Sequence, residues 1–190
     1  LSFVREKDES FTLANGGFRD SSFTPEQLVE NTFCPLDLFD YIYAVLHSPA
    51  YRETYREFLK IDFPRIPYPA DQKTFWKLAA LGGRLREFHL LESLEFDKLN
   101  VEPVPPGNAL VEKVRYSDGK AFINDGFCFD GVSQTAWEFY IGGYQPAQKW
   151  LKDRKGSVLK AGDIRHYRKI VFALGKTTEV MGEIDRVGVV

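Results

Sequence analysis

Apolar positions recur at helical spacing from Leu38 through Phe39, Ile42, Tyr43, Val45 and Leu46, and the pattern stops near His47. Ser48-Pro49 then has the form of a helix start, with a hydroxyl cap followed by proline in the first turn. The helix it opens carries Tyr51, Tyr55, Phe58 and Leu59 on one face and Arg52, Glu53, Arg56 and Glu57 on the other. Upstream, Thr24-Pro25-Glu26-Gln27 has the spacing of a capping box and predicts another helix start. Three prolines within Phe63-Pro64-Arg65-Ile66-Pro67-Tyr68-Pro69 forbid helix and enforce extended backbone. Asp71 can cap a following helix to about Leu91, with Phe75, Leu78, Ala79, Leu85 and Phe88 inward. Gly82-Gly83 lies inside that helix at a cost of about 1 kcal/mol per residue relative to Ala, which predicts close approach by another backbone.

Beyond a proline-rich, acidic stretch the periodicity changes. Residues 109–116 alternate apolar and charged, with Lys113 and Arg115 opposite Val114, and Ser117-Asp118-Gly119 signals a turn. Residues 120–124 and 127–129 read as short strands, and residues 137–140 as another. Residues 145–152 fit a short helix. Asp163 heads a final helix whose predicted inward stripe is Ile164, Tyr167, Val171, Leu174, Thr178, Met181 and Ile184. The predicted fold class is therefore α+β, a helix-rich N-terminal half followed by a small antiparallel sheet plus helices. Its expected domains are a helical module with a proline-rich extended segment at 1–95, a linker or surface loop at 96–108, and the sheet-containing module at 109–190.

Composition supports a packed core: 190 residues are 44% hydrophobic and 15% aromatic. No apolar run is long enough to span a membrane. The start at Leu1, without a basic or apolar leader, is expected of a segment cut from a longer polypeptide. Cys34 and Cys128 stand apart, outside any metal-ligand spacing, and fit small buried apolar residues in a reduced, cytoplasmic protein.

Net charge is −2, which by itself argues against a nucleic-acid binder, but the charge is segregated. Residues 149–169 hold eight basic residues against two acids, or +6, while the other 17 basic and 25 acidic residues leave −8. No phosphate-binding glycine loop, nucleophile elbow or zinc spacing is present, and His47, His89 and His166 are widely separated. His47 and His89 read best as packed or helix-end imidazoles. An acid–acid–lysine arrangement of Asp97, Glu112 and Lys113 is too common in a charged chain to indicate a nuclease.

The most suggestive chemistry lies in residues 137–156, which join aromatics, a glycine pair, two amides and a run of cations. Cations bind phosphate, Gln and Arg read base edges, and glycine lets backbone approach a groove. Lys149, Lys152, Arg154 and Lys155 are the expected phosphate contacts. Tyr144, Gln145 and Gln148 are the expected groove contacts, with Arg65 and Arg115 as a second tier. Trp137 and Trp150 fit core anchors better than stacking platforms.

Three blocks carry a family resemblance. They are Leu46-His47-Ser48-Pro49-Ala50-Tyr51-Arg52 running on through Phe58-Leu59-Lys60 to Pro69; Ile141-Gly142-Gly143-Tyr144-Gln145 with Lys149-Trp150-Leu151-Lys152-Asp153-Arg154; and Ile164-Arg165-His166-Tyr167. Together they resemble the C-terminal, target-recognition part of type ISP restriction-modification enzymes. These are large bacterial polypeptides joining a nuclease, an ATP-driven translocase, an adenine methyltransferase and a target-recognition domain. The family's Asn-Pro-Pro-Tyr methyltransferase motif is absent here, as Pro105-Pro106-Gly107-Asn108 does not supply it.

The resemblance implies a non-catalytic, DNA-binding domain that holds double-stranded DNA for the methyltransferase domain of the same polypeptide. It implies no cofactor in this segment, with S-adenosylmethionine, ATP and Mg used by the parent enzyme. An alternative is an interaction or spacer module packing methyltransferase against translocase. Cations lining one concave face favour DNA; cations scattered or paired with acids favour the interface.

Overall fold

The computed structural model describes residues 33–99 and 109–189. The helix start at Thr24 and most of the 96–108 segment lie outside the described residues.

Helix α1 (Pro35–His47) begins at Cys34, whose backbone N–H donates to the Asp37 carboxylate at 2.8 Å. Pro at its first position and an acid in its first turn complete the start. Ser48 ends it and caps α2 (Pro49–Thr54), its hydroxyl accepting the Tyr51 N–H at 3.1 Å. A 3₁₀ turn at Phe58–Lys60 follows, then the extended proline segment. Asp71 accepts the Thr74 N–H at 2.7 Å and so caps α3 (Gln72–His89), as expected. The same bonds hold the Asp71 carboxyl below the usual carboxylate range. A second 3₁₀ turn covers Leu94–Lys98.

β1 (Arg115–Ser117), β2 (Lys120–Phe122) and β3 (Cys128–Phe129) form an antiparallel sheet in that order. Arg115 pairs with Phe122 and Ser117 with Lys120 across the first hairpin. Asp118 and Gly119 both have positive φ, 53° and 75°, as a two-residue primed turn requires. Helices α4 (Gln134–Glu138), α5 (Pro146–Lys152) and α6 (Ala161–Val187) complete the described elements. The α+β class is observed.

The contacts divide the chain into two compact units, one up to Gly83 plus residues from Ile184, the other Arg84–Glu183. In the first, Tyr41, Ala44, Val45, Tyr51, Phe75, Leu78 and Ala79 are buried. A Cβ built on Gly82 would lie 1.8 Å from the Asp40 carbonyl oxygen, so α1 and α3 meet backbone to backbone there. In the second unit, Val111, Ile123, Phe129, Trp137, Leu151, Ile164, Tyr167 and Leu174 belong to one apolar cluster.

Two expectations are corrected. Residues 137–140 are not a strand. Ser133 accepts the Ala136 N–H at 3.2 Å and starts α4, so a local cap outweighs the alternating aromatics. On α6, Thr178 is exposed and Met181 only half-buried, while Thr177 and Val180 are buried instead. Thr177 tolerates burial because its hydroxyl donates to the Ala173 carbonyl at 2.7 Å and meets His89 Nε2 at 2.9 Å. Both cysteines are free and half-buried.

Candidate nucleic-acid interface

Between α4 and α5 the chain makes a tight, doubly bonded turn. Ile141 N–H donates to the Tyr144 carbonyl at 3.0 Å, and Tyr144 N–H returns to Ile141 at 3.4 Å. Gly142 takes φ +59° at the first central position, a conformation glycine reaches without penalty. The turn projects Tyr140, Ile141 and Tyr144, which are 64%, 49% and 48% exposed. A fixed turn that presents large apolar groups to solvent is a knuckle, and it leads directly into the cations of α5.

The two amides expected to read bases hold this knuckle in place. Gln145 Nε2 donates to the Glu138 carbonyl at 3.4 Å, and Gln148 Nε2 to the Trp137 carbonyl at 3.3 Å. Gln148 Oε1 also accepts Lys152 Nζ at 3.0 Å. Lys149 Nζ is paired with Asp153 at 2.8 Å, one helical turn along. The Arg154 guanidinium lies 3.5 Å from the centre of the Trp150 ring and donates to the Trp150 carbonyl at 3.0 Å. Lys155 is exposed, and its ammonium has no partner among the described residues. Of the eight basic residues at 149–169, Lys149 alone forms an ion pair among the described residues.

Trp137 and Trp150 pack inward as expected. Trp137 stacks on Tyr116 with centroids 5.0 Å apart, and Trp150 lies 5.2 Å from Tyr167 and 6.0 Å from His166. They anchor α4 and α5 to the core and so fix the ground from which the knuckle projects.

The second-tier arginines lie elsewhere. Arg115, on β1, pairs with Asp125 at 2.7 Å and covers the Phe122 ring at 5.3 Å. Arg65 sits in the proline segment of the first unit, 3.9 Å from Asp62 and 5.0 Å over Phe58. The structure thus brings Tyr144, Gln145, Gln148, Lys149, Lys152, Arg154 and Lys155 onto one turn and helix, and leaves Arg65 in the other unit. Ile141 escaped the residue-level reading, although an apolar residue directly before a glycine pair is a signal that it sits at a turn tip.

His47 sits at the end of α1, as its position predicted. Its Nδ1 lies 2.7 Å from the Tyr43 carbonyl, and burial pushes its pKa below the ordinary value for imidazole. Among the described residues no group of three His, Cys, Asp or Glu side chains is placed to hold a metal ion. No helix among them is long and apolar enough to cross a membrane.

Residues 8–183 match the family described as the Type ISP C-terminal specificity domain. The chain belongs to that family. Among curated proteins this specificity domain finds no match. Two solved structures are similar to it. One is a nuclease-deletion mutant of the Type ISP restriction-modification enzyme LlaGI in complex with a DNA substrate mimic. It is 21% identical over 81% of this chain and 14% of that one, with a TM-score of 0.57. The other is the ATP-dependent Type ISP restriction-modification enzyme LlaBIII bound to DNA, 18% identical over 84% of this chain and 12% of that one, also at 0.57. The likeness to both is one of fold, and the specificity domain spans only a small part of either chain.

Proposed function

We propose that this specificity domain recognises duplex DNA through the knuckle and the cations of α5, and presents a target adenine to a methyltransferase domain of the same polypeptide. It performs no chemistry itself. S-adenosylmethionine, ATP and Mg serve the other domains of the parent enzyme. The observation that carries this reading is the continuity of Tyr140, Ile141 and Tyr144 with Lys149, Lys152, Arg154 and Lys155 on one locally braced element. Apolar side chains on a fixed turn suit a groove, and the adjacent cations suit the phosphates that border it. Family membership and the DNA-bound state of the two similar enzymes support the same partner. Gln145 and Gln148 keep carbonyl oxygens available for base edges even while their amide nitrogens are engaged.

The test is duplex binding by fluorescence anisotropy with a labelled random-sequence duplex. Replacing Lys149, Lys152, Arg154 and Lys155 together by Gln is expected to weaken binding to all sequences by about tenfold or more. Changing Gln145 or Gln148 is expected instead to alter which sequence a selection from random duplexes recovers. Unchanged affinity in the quadruple variant assigns the contacts elsewhere.

A second reading, packing of methyltransferase against translocase, draws on the first unit. Ile61, Phe63 and Tyr68 are 84%, 87% and 96% exposed. Their backbone is fixed where Tyr51 and Tyr41 hydroxyls donate to the carbonyls of Arg65 and Pro67, both at 2.9 Å. An apolar surface held this firmly suits a protein partner. Loss of association with the rest of the polypeptide in a Phe63→Ser, Tyr68→Ser variant that still binds duplex supports a packing role for this surface alongside DNA recognition.

A further inference from the structure

The second unit contains a cleft of about 450 Å³ between the Phe129–Ser133 segment, the middle of α6 and Lys98. None of the residues expected to contact DNA lines it. Its volume falls in the ordinary range for small-molecule sites. The charges around it do not balance. Asp130 is answered by Lys120 at 3.7 Å, and Glu179 by Lys176 at 2.6 Å. Lys98 and Arg168 are left without an ion-pair partner among the described residues. The surplus calls for an anion.

Two further features point into the same space. Tyr167 is fully buried, yet its hydroxyl has no hydrogen-bond partner, and the Arg168 Nε–H is likewise buried and unpartnered. Buried polar groups are almost always bonded, so this pair is arranged for something the protein does not itself provide. Gly175 also lines the cleft from the interior of α6, where glycine is unfavourable. A Cβ there would meet only Ser133 Oγ, at 3.7 Å, an ordinary contact. Nothing in the packing demands glycine, and the effect of its bare surface is to keep the cleft open.

We propose that this cleft binds a nucleotide unit. Its phosphate would be met by Arg168 and Lys98, and its flat ring held among Phe129, Phe172 and Tyr167, with the Tyr167 hydroxyl supplying a polar contact. The chemistry is shared by two sources, a free mononucleotide and a nucleotide extruded from bound DNA. The site lies apart from the duplex contacts proposed above and does not depend on them.

The experiment uses the full chain and follows heteronuclear NMR shifts during titration with deoxyadenosine monophosphate, with inorganic phosphate as the comparison. The nucleotide is expected to saturate the site and to bind at least about tenfold more tightly than phosphate. Tyr167→Phe keeps the ring and removes a hydroxyl that bonds to nothing in the protein. Gly175→Ala narrows the cleft without a clash. Both variants are expected to retain or raise the melting temperature while weakening the nucleotide about tenfold.

A duplex carrying one unpaired nucleotide distinguishes the sources. Competition with deoxyadenosine monophosphate supports a site filled from DNA, and failure to compete supports a site for the free nucleotide. Binding no tighter than phosphate, binding indifferent to both variants, or a lowered melting temperature in Tyr167→Phe overturns the proposal. The quadruple α5 variant is expected to lose duplex and keep the nucleotide, so either idea can fail without the other.

Discussion

At Gly82 a single missing carbon sets how closely two helices pack. The Asp40 carbonyl occupies the position where a Cβ would stand, 1.8 Å away, and the obstacle is backbone that cannot swing aside. Gly82→Ala is therefore expected to destabilise the protein by about 3 kcal/mol, seen as a lower urea midpoint with an unchanged slope. A midpoint within error of the parent would mean that the helices separate freely. This position was legible beforehand, because glycine inside a helix is costly and so implies a reason.

His47 gives a residue-scale prediction in pH. Desolvation lowers its folded pKa, outweighing the raising effect of the Tyr43 carbonyl, and the Arg52 charge lowers it further. The unfolded chain then takes up the proton first as pH falls. Stability contributed by neutral His47 is complete above the unfolded value of about 6.5 and is lost as pH drops through it toward the folded value. The difference in unfolding free energy between about pH 7.5 and pH 5.5 is expected to shrink in His47→Asn, as measured by urea denaturation. An equal difference in parent and variant would place the titration on other groups. The unpartnered Tyr167 hydroxyl, by contrast, was not legible. The α6 periodicity marks Tyr167 as core, but no pattern of residue types reveals which buried atom lacks a partner.

At the scale of elements, local chemistry was readable wherever a cap or turn fixed it. Ser48, Asp71 and Asp118-Gly119 each act as their residue types require. The failure at 137–140 has the same origin, since Ser133 lies outside the alternating run and decides its conformation from four residues away. Helix α5 was readable as an element but not in its internal pairing, because a spacing of four permits the Lys149–Asp153 bond without requiring it. That pairing has a consequence for binding. Asp153 competes with phosphate for the Lys149 ammonium and adds a repulsive charge beside the proposed interface. Asp153→Asn is expected to raise affinity for random-sequence duplex about two- to threefold at low salt, the scale of an exposed ion pair, and less as salt rises. Weaker binding in this variant would show that the pair is needed to orient Lys149.

For the whole chain, net charge and charge distribution point in opposite directions. The overall −2 would keep the protein away from DNA, while +6 at residues 149–169 and −8 elsewhere give it one face that can approach and others that cannot. The average hides this, and only a position-by-position count exposes it. If Lys149, Lys152, Arg154 and Lys155 each neutralise a phosphate, counterion release sets the salt dependence. The logarithm of the binding constant is then expected to fall with the logarithm of salt concentration at a slope of about −3 to −4. Their joint replacement by Gln should flatten that slope toward zero, whereas a defect in folding would lower affinity and leave the slope of the remaining binding steep. A parent slope well beyond −4 that survives the replacement would instead draw in cations of α6 such as Arg165, which is exposed and has no ion-pair partner among the described residues. The slope counts contacts and the variant locates them, so the two together decide whether α5 is the surface that meets the phosphates.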